Sequence, residues 1–230
     1  DAFGYGWKKF TENVGSILIA MLVFALIGAV LYGVDALLQY LISPDTTVVQ
    51  GDNGLVVTRS AGLAGGVLSL AFFLIYLVWE AVLRGAFARG GLRLASGQAL
   101  NLSELLTLNR VGRIIGAGII MGLVLIIPVI LGFILCIIPG IIVAAVGPLM
   151  LGYVYWFIID QDLGVMDSVK ATFSFIGENF GSVFLVALLG SLVLLGGFIL
   201  CGVGLLVAYP IVALAQTYTY KVLRGVPVAP

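Results

Sequence analysis

Long runs without charge dominate the chain. Val14–Val34, Ala61–Trp79 and Ile114–Ile159 contain no Asp, Glu, Lys or Arg, and the last is long enough for two spans. A helix crosses the apolar part of a bilayer in about 20 residues. The pattern therefore predicts helices over 14–41, 61–95, 113–135, 138–159, 181–200 and 203–223. A transmembrane β-barrel would instead alternate apolar and polar positions in segments of about ten residues, and the sequence has no such alternation. The expected fold is all-α: a single membrane domain over 1–230, a polytopic helical bundle of about six spans.

The turns between these helices are legible. The third and fourth spans meet at Cys136-Ile137-Ile138-Pro139-Gly140, and the fifth and sixth at Cys201-Gly202-Val203-Gly204. Proline and glycine stop helices and allow tight reversal, so both junctions read as short outer turns. The first pair is joined by a longer polar outer loop at 43–60. Its Pro44-Asp45 and Gly51-Asp52-Asn53-Gly54 are turn signals, and Thr46–Val49 can pair with Leu55–Thr58 as a small hairpin.

Charge orients this arrangement. Of the 11 Lys and Arg, only Arg59 falls on the side of the 43–60 loop; all the others fall on the side bearing both termini. Cytoplasmic loops collect basic residues, so both termini are expected in the cytoplasm, with the chain in a bacterial plasma membrane. Composition agrees: 62% of residues are hydrophobic and 10% charged, against about 25% charged in soluble domains. The net charge of zero gives no basic field for nucleic acid. Asp1 stands where an initiator Met would, and Val226-Pro227-Val228-Ala229-Pro230 reads as the start of a linker, so residues are expected beyond either end.

An internal repeat runs through the chain. Residues 1–16 align without gaps on residues 167–182, with Asp1/Asp167, Trp7/Phe173, Glu12/Glu178, Asn13/Asn179, Gly15/Gly181 and Ser16/Ser182 as the clearest matches. A looser copy, Ser103–Gly112, precedes the third span, and Phe133–Ala144 matches Phe198–Ala208 with one gap. The expected units are roughly 1–97, 98–160 and 161–230, each an amphipathic segment followed by two spans. Units of two spans share one orientation, so these are parallel repeats and not the inverted repeats of many ion-coupled transporters. Phe3, Trp7 and Phe10, with Lys8 and Lys9 beside them, and Phe173 with Val169 and Ile176, are expected to lie in the headgroup layer. They read as anchors that fix helix depth, or as a docking surface for lipid or protein. Asp167 or Ser168 is expected to cap the second of these helices.

Chemistry-bearing groups are few. Histidine is absent, which excludes histidine metal sites, triads and proton relays. No nucleophile motif, phosphate loop or polar carboxylate pair occurs, and no catalytic residue, cofactor or metal is expected. Small residues at Gly62/Gly66, Gly112/Gly116 and Gly118/Gly122 let helix backbones approach closely. Two acids sit in apolar blocks, and such residues are site candidates by default. Asp35 is placed near the outer boundary, where Arg59 could face it. Glu80 is placed near the cytoplasmic end of the second span, four residues before Arg84, spaced for an ion pair. Cys136 and Cys201 occupy equivalent outer turns, either as two buried thiols or as a disulfide. Asp160, Asp162 and Asp167 read as a solvated acidic loop with a helix cap.

With these pieces together the chain resembles a family of uncharacterised integral membrane proteins widespread in actinobacteria. The resemblance rests on Phe3–Gly15, Leu102–Leu106, the turn at 136–142 and Glu178-Asn179-Phe180-Gly181. It implies association with larger plasma-membrane assemblies, including the actinobacterial respiratory supercomplex, and it supplies no catalytic residues. The expected function is that of a non-catalytic accessory, stabilising or assembly subunit whose partners are membrane lipids and other integral membrane proteins. The alternative is a small-solute or lipid transporter with a cavity between the three hairpins, lined by Asp35, Glu80, Asn13 or Gln216.

Overall fold

The computed structural model describes residues 2–42, 46–51, 54–59, 62–100, 105, 110–135, 137–200 and 202–230; of 46–51 and 54–59 it describes the backbone. In chain order the elements are α1 (Ala2–Glu12), α2 (Val14–Ile42), β1 (Thr46–Gly51), β2 (Gly54–Arg59), α3 (Gly62–Ala95), α4 (Val111–Leu135), α5 (Ile137–Leu151), α6 (Val154–Gln161), α7 (Val165–Glu178), α8 (Phe180–Ile199) and α9 (Leu205–Leu223). The strands form one antiparallel hairpin, with Thr46 opposite Arg59 and Gly51 opposite Gly54, in the segment where the turn signals predict it. The third copy of the amphipathic segment, at 103–109, lies outside the described residues apart from Leu105.

Among the described residues, five stretches are long and apolar enough to cross a membrane: Val14–Ile42, Gly62–Ala95, Val111–Leu135, Ile137–Gln161 and Phe180–Ile199. The helix expected as a sixth span is α9. Its 19 residues would reach roughly 28 Å at 1.5 Å per residue. However, its second half carries Gln216, Thr217, Tyr218, Thr219, Tyr220 and Lys221. It packs against α1, α2, α3 and α8, and buries Thr217, Thr219 and Tyr220. Thr217 and Thr219 return their hydroxyls to the carbonyls of Ala213 and Ala215, each at 2.9 Å. A helix walled in by other helices keeps such groups without presenting them to lipid.

The core lies at the end of the bundle that bears both termini. One cluster joins Tyr153–Ile158 to Ile114, Phe175, Val183 and Tyr220, and a second joins Phe10, Ile17 and Phe24 to Phe87, Ile211 and Leu214. Toward the other end the helices expose their apolar side chains, as at Leu63, Leu70, Leu135, Ile137 and Ile199.

Three expectations are corrected. The fourth span is not one unbroken helix over 138–159: α5 ends at Leu151 and α6 begins at Val154, with Tyr153 between them still in right-handed helical backbone angles. Pro148 already removes one backbone donor from α5, and Gly152 follows it. Second, α7 is capped by Gly164, three residues before Asp167, and Ser168 Oγ donates back to the Gly164 carbonyl at 2.8 Å. Third, the buried face of α7 is Ser168, Val169, Thr172 and Phe175, while Phe173 points outward.

The first helix also does more than lie in a headgroup layer. It crosses the middle of α9 at backbone contact: a Cβ added at Gly6 would stand 2.6 Å from the Ile211 carbonyl oxygen. Phe3 turns inward and Lys9 is buried, bonded to Glu12 and to the Pro230 carbonyl, whereas Trp7 and Lys8 are exposed. Burial of the Tyr5 hydroxyl against this helix, with Glu12 nearby, pushes its pKa up to about 12.

Gly6→Leu is expected to destabilise the detergent-solubilised protein by about 1–3 kcal/mol, read from thermal or denaturant unfolding. Gly15→Ala is the control. Nothing lies within 4 Å of a Cβ there, so stability should hold or rise by up to about 1 kcal/mol.

Candidate functional site

Glu80 and Arg84 are one turn apart on α3, and Arg84 Nε donates to Glu80 Oε1 at 2.6 Å. The i,i+4 spacing predicts this pair; the second contact of Arg84 is not local. Its Nη1 donates to the Pro148 carbonyl at 3.0 Å, across 64 residues of sequence. The guanidinium thus fastens α3 to α5 just before the break in the fourth span. One residue further on, the carbonyl of Leu149 would pair with Tyr153 N in a continuous helix. Here it accepts from Gln216 Nε2 at 2.7 Å. An interrupted helix in an apolar setting persists where protein groups satisfy the freed backbone: Gln216 does so for Leu149, while Arg84 adds a second bond to the Pro148 carbonyl, which also accepts from Gly152 N at 3.0 Å.

The break leaves space. A cavity of about 250 Å³ lies between α3, α4, α5 and α6, lined by Leu77, Glu80 and Arg84, by Gly118, Met121, Gly122 and Leu125, and by Pro148, Leu151, Gly152 and Tyr155. The Arg84 side chain is 16% exposed and that of Glu80 44%. Behind Arg84 is a second void of about 10 Å³ against Trp156, Tyr209 and Gln216, room for about one water molecule. Trp156 Nε1 donates to Thr217 Oγ1 at 2.9 Å beside it.

The depth of the pair differs from expectation. Gly118 to Leu125 lie 7 to 14 residues past the start of α4 at Val111, roughly 10–21 Å along the helix. Pro148 and Gly152 fall near the middle of the Ile137–Gln161 stretch. Glu80 and Arg84 are level with these residues and so sit inside the bundle, short of the end that bears both termini. The extra length of α3 beyond them, Gly85–Ala95, is mostly buried against the rest of the chain.

The remaining candidates are placed as follows. Asp35 Oδ2 accepts from the Tyr76 hydroxyl at 3.3 Å, and Oδ1 is buried without a hydrogen bond; the side chain of Arg59 lies outside the described residues, as do Cys136 and Cys201. Asn13 Nδ2 donates to the Lys9 carbonyl at 3.1 Å, a local turn contact away from the cavity. Gln216 reaches the void behind Arg84. Asp160 and Asp162 are not simply solvated. Asp160 pairs with Arg224 at 2.7 Å, and Asp162 pairs with Arg113 at 2.6 Å and Arg110 at 3.1 Å. Among the described residues no group of three or more His, Cys, Asp or Glu is arranged to hold a metal. The residues that sequence reasoning missed are Pro148, Gly152 and Tyr155. Their signal was a proline followed four residues later by glycine inside an apolar block.

By helix length and hydropathy the chain is a multi-pass membrane protein. It is similar to a Mycobacterium tuberculosis protein described as uncharacterized protein Rv2560, with 27% identity over 229 residues, covering 98% of this chain and 68% of the relative. A Mycobacterium bovis protein described as uncharacterized protein Mb2590 matches to the same extent. No family model matches the chain, and no solved structure matches it.

Removing the guanidinium leaves the Glu80 carboxylate without its counter-charge and cuts the tie from α3 to the Pro148 carbonyl, which keeps its bond from Gly152 N. Arg84→Leu is expected to cost roughly 2–4 kcal/mol, below the 3–5 of a fully buried pair because Glu80 opens to the cavity. Glu80→Gln combined with Arg84→Leu should cost less than the two single changes added together. Denaturant unfolding in nanodiscs measures both.

Proposed function

We propose that this chain is a non-catalytic integral plasma-membrane protein that works through contacts, as an accessory, stabilising or assembly subunit of a larger membrane complex. In this reading both termini are cytoplasmic, α9 is the sixth span, and the three two-span units are parallel repeats. A respiratory assembly is the candidate that the resemblance of the sequence names. The observation that carries the reading is the far half of the first hairpin. There α2 and α3 touch mainly each other, through Gly28 with Trp79, Asp35 with Tyr76 and Gln39 with Ser69. Gly33, Gly62 and Gly66 have nothing within 4 Å of a Cβ position, and Tyr32, Leu63 and Val67 are exposed. Small residues facing outward on a membrane helix suit close packing by another helix.

A second reading, lipid or small-solute handling, is favoured by the cavity at Glu80 and Arg84, which lies where helices of the first two hairpins meet. It gives a use to the open space beside the pair, which the tie from α3 to α5 does not itself require.

Photo-crosslinking in native membranes from residues 33, 63 and 66 tests the first reading. Crosslinks to a discrete set of integral membrane proteins, lost when Gly62 and Gly66 are both changed to Leu, are expected; lipid adducts alone would refute it. Cysteines added at either terminus should react with a membrane-impermeant reagent only after the membrane is opened.

A further inference from the structure

The Glu80–Arg84 cavity has more chemistry than a packing fault requires. We infer that it is a binding site for a membrane-borne amphiphile with a small, uncharged, hydroxyl-bearing head. The inference rests on the cavity of the second reading above and not on transport. A protein that holds the amphiphile as a fixed structural ligand satisfies it equally.

The argument begins with what the ion pair leaves open. Arg84 uses Nε on Glu80 and Nη1 on the Pro148 carbonyl. Among the described residues, Nη2 donates to nothing and Glu80 Oε2 accepts from nothing. The pair therefore keeps a spare donor and a spare acceptor, and the Tyr155 hydroxyl lines the same cavity. A hydroxyl is both donor and acceptor, so one such group can take a hydrogen bond from Nη2 and give one to Oε2.

Charge decides against ionic heads. Among the described residues, Glu80 and Arg84 are the only charged ones lining the cavity, and their charges cancel. A carboxylate, phosphate or ammonium seated there would bring a third charge into an apolar setting with no counter-charge, and a buried unpaired charge is strongly disfavoured. A neutral head meets no such penalty.

The walls and the size define the rest of the ligand. Leu77, Met121, Leu125 and Leu151 supply the apolar lining, which suits hydrocarbon better than a free polar solute. At about 250 Å³ the space is far larger than the single-water void of about 10 Å³ behind Arg84. It holds a simple alcohol or glycerol-sized head with its first methylene groups. The remainder of a longer tail has a way out along the bundle surface. One turn from Leu77 on α3, Phe73 and Leu74 are exposed, and on α4 Leu123, Ile126 and Ile127 are exposed. The occupant therefore comes from the lipid phase.

The test uses the full chain in nanodiscs with three photoreactive probes of equal tail length: a diazirine-bearing dodecanol, the matching dodecanoate and the matching dodecylammonium. Labelled residues are mapped by mass spectrometry. Dodecanol should label the segments 77–84, 118–125 and 148–155 about tenfold more strongly than either charged probe, a preference equivalent to about 1.4 kcal/mol. Gly122→Leu extends into the cavity from a position where a Cβ meets only Leu77 Cδ2 at 3.6 Å. It should cut that labelling about tenfold and leave labelling of the α2 surface unchanged. Glu80→Gln leaves Arg84 uncompensated and should move the preference to dodecanoate, an outcome that loss of structure cannot produce. Equal labelling by all three heads would overturn the proposal. So would labelling that avoids these three segments, or a Glu80→Gln variant that keeps the preference for the alcohol. If dodecanol binds while proteoliposomes move no amphiphile, transport fails and the site stands.

Discussion

A backbone carbonyl inside a membrane protein has no water to fall back on, and the arrangement of this bundle follows from how one broken helix meets that demand. The fourth apolar stretch is interrupted between Leu151 and Val154. The carbonyls of Pro148 and Leu149 are engaged by Arg84 from α3 and Gln216 from α9. The Leu149 carbonyl has lost its helical partner, and an unsatisfied polar group in hydrocarbon costs several kcal/mol, so Gln216 holds the break; Arg84 adds a second bond at Pro148, whose carbonyl also accepts from Gly152 N, and the two side chains join three helices there. Arg84 in turn needs Glu80, because a lone guanidinium at that depth would be far more costly than the pair. The break, the ion pair and the cavity beside them form one connected feature.

Close approach of backbones supplies the second constraint. Lipid tails are as apolar as leucine, so membrane helices gain little from hydrophobic exclusion and depend on packing. Gly6 lets α1 touch the backbone of α9, and Gly118 brings α4 against Ala81 of α3, where an added Cβ would stand 2.8 Å from that of Ala81. Toward the end bearing both termini, aromatic groups including Tyr153, Phe157, Phe175 and Tyr220 interlock. The far half of the first hairpin lacks such contacts with the rest of the chain. The same molecule thus has a tightly joined end and an open one, and both functional readings draw on that contrast.

Much of this was legible in the amino-acid sequence. Five apolar stretches, the short hairpin between α2 and α3, the turn at 202–204 and the Glu80–Arg84 pair all follow from local pattern, because helical hydrogen bonds and i,i+4 contacts link residues a few places apart; of the turn expected at 136–140, residues 137–140 are helical and Cys136 lies outside the described residues. Other expectations failed where a distant contact prevailed. Lys9 and Phe3 read as interfacial anchors, yet packing of α1 across α9 turns both inward. Phe173 shares helical spacing with Val169, but the position of Phe175 against Tyr153 and Phe157 sets which face of α7 is buried.

The sequence by itself determined that the chain must live in a bilayer and where its helices run, since too few charges exist to keep so much apolar surface in water. Only the tertiary structure decided that the fourth span breaks, that Gln216 takes up the freed Leu149 carbonyl while Arg84 ties α3 to Pro148, and that Glu80 lines a cavity inside the bundle. Those contacts join residues 64 and 67 places apart. No local periodicity can specify such pairings, because they depend on which helix faces are brought together.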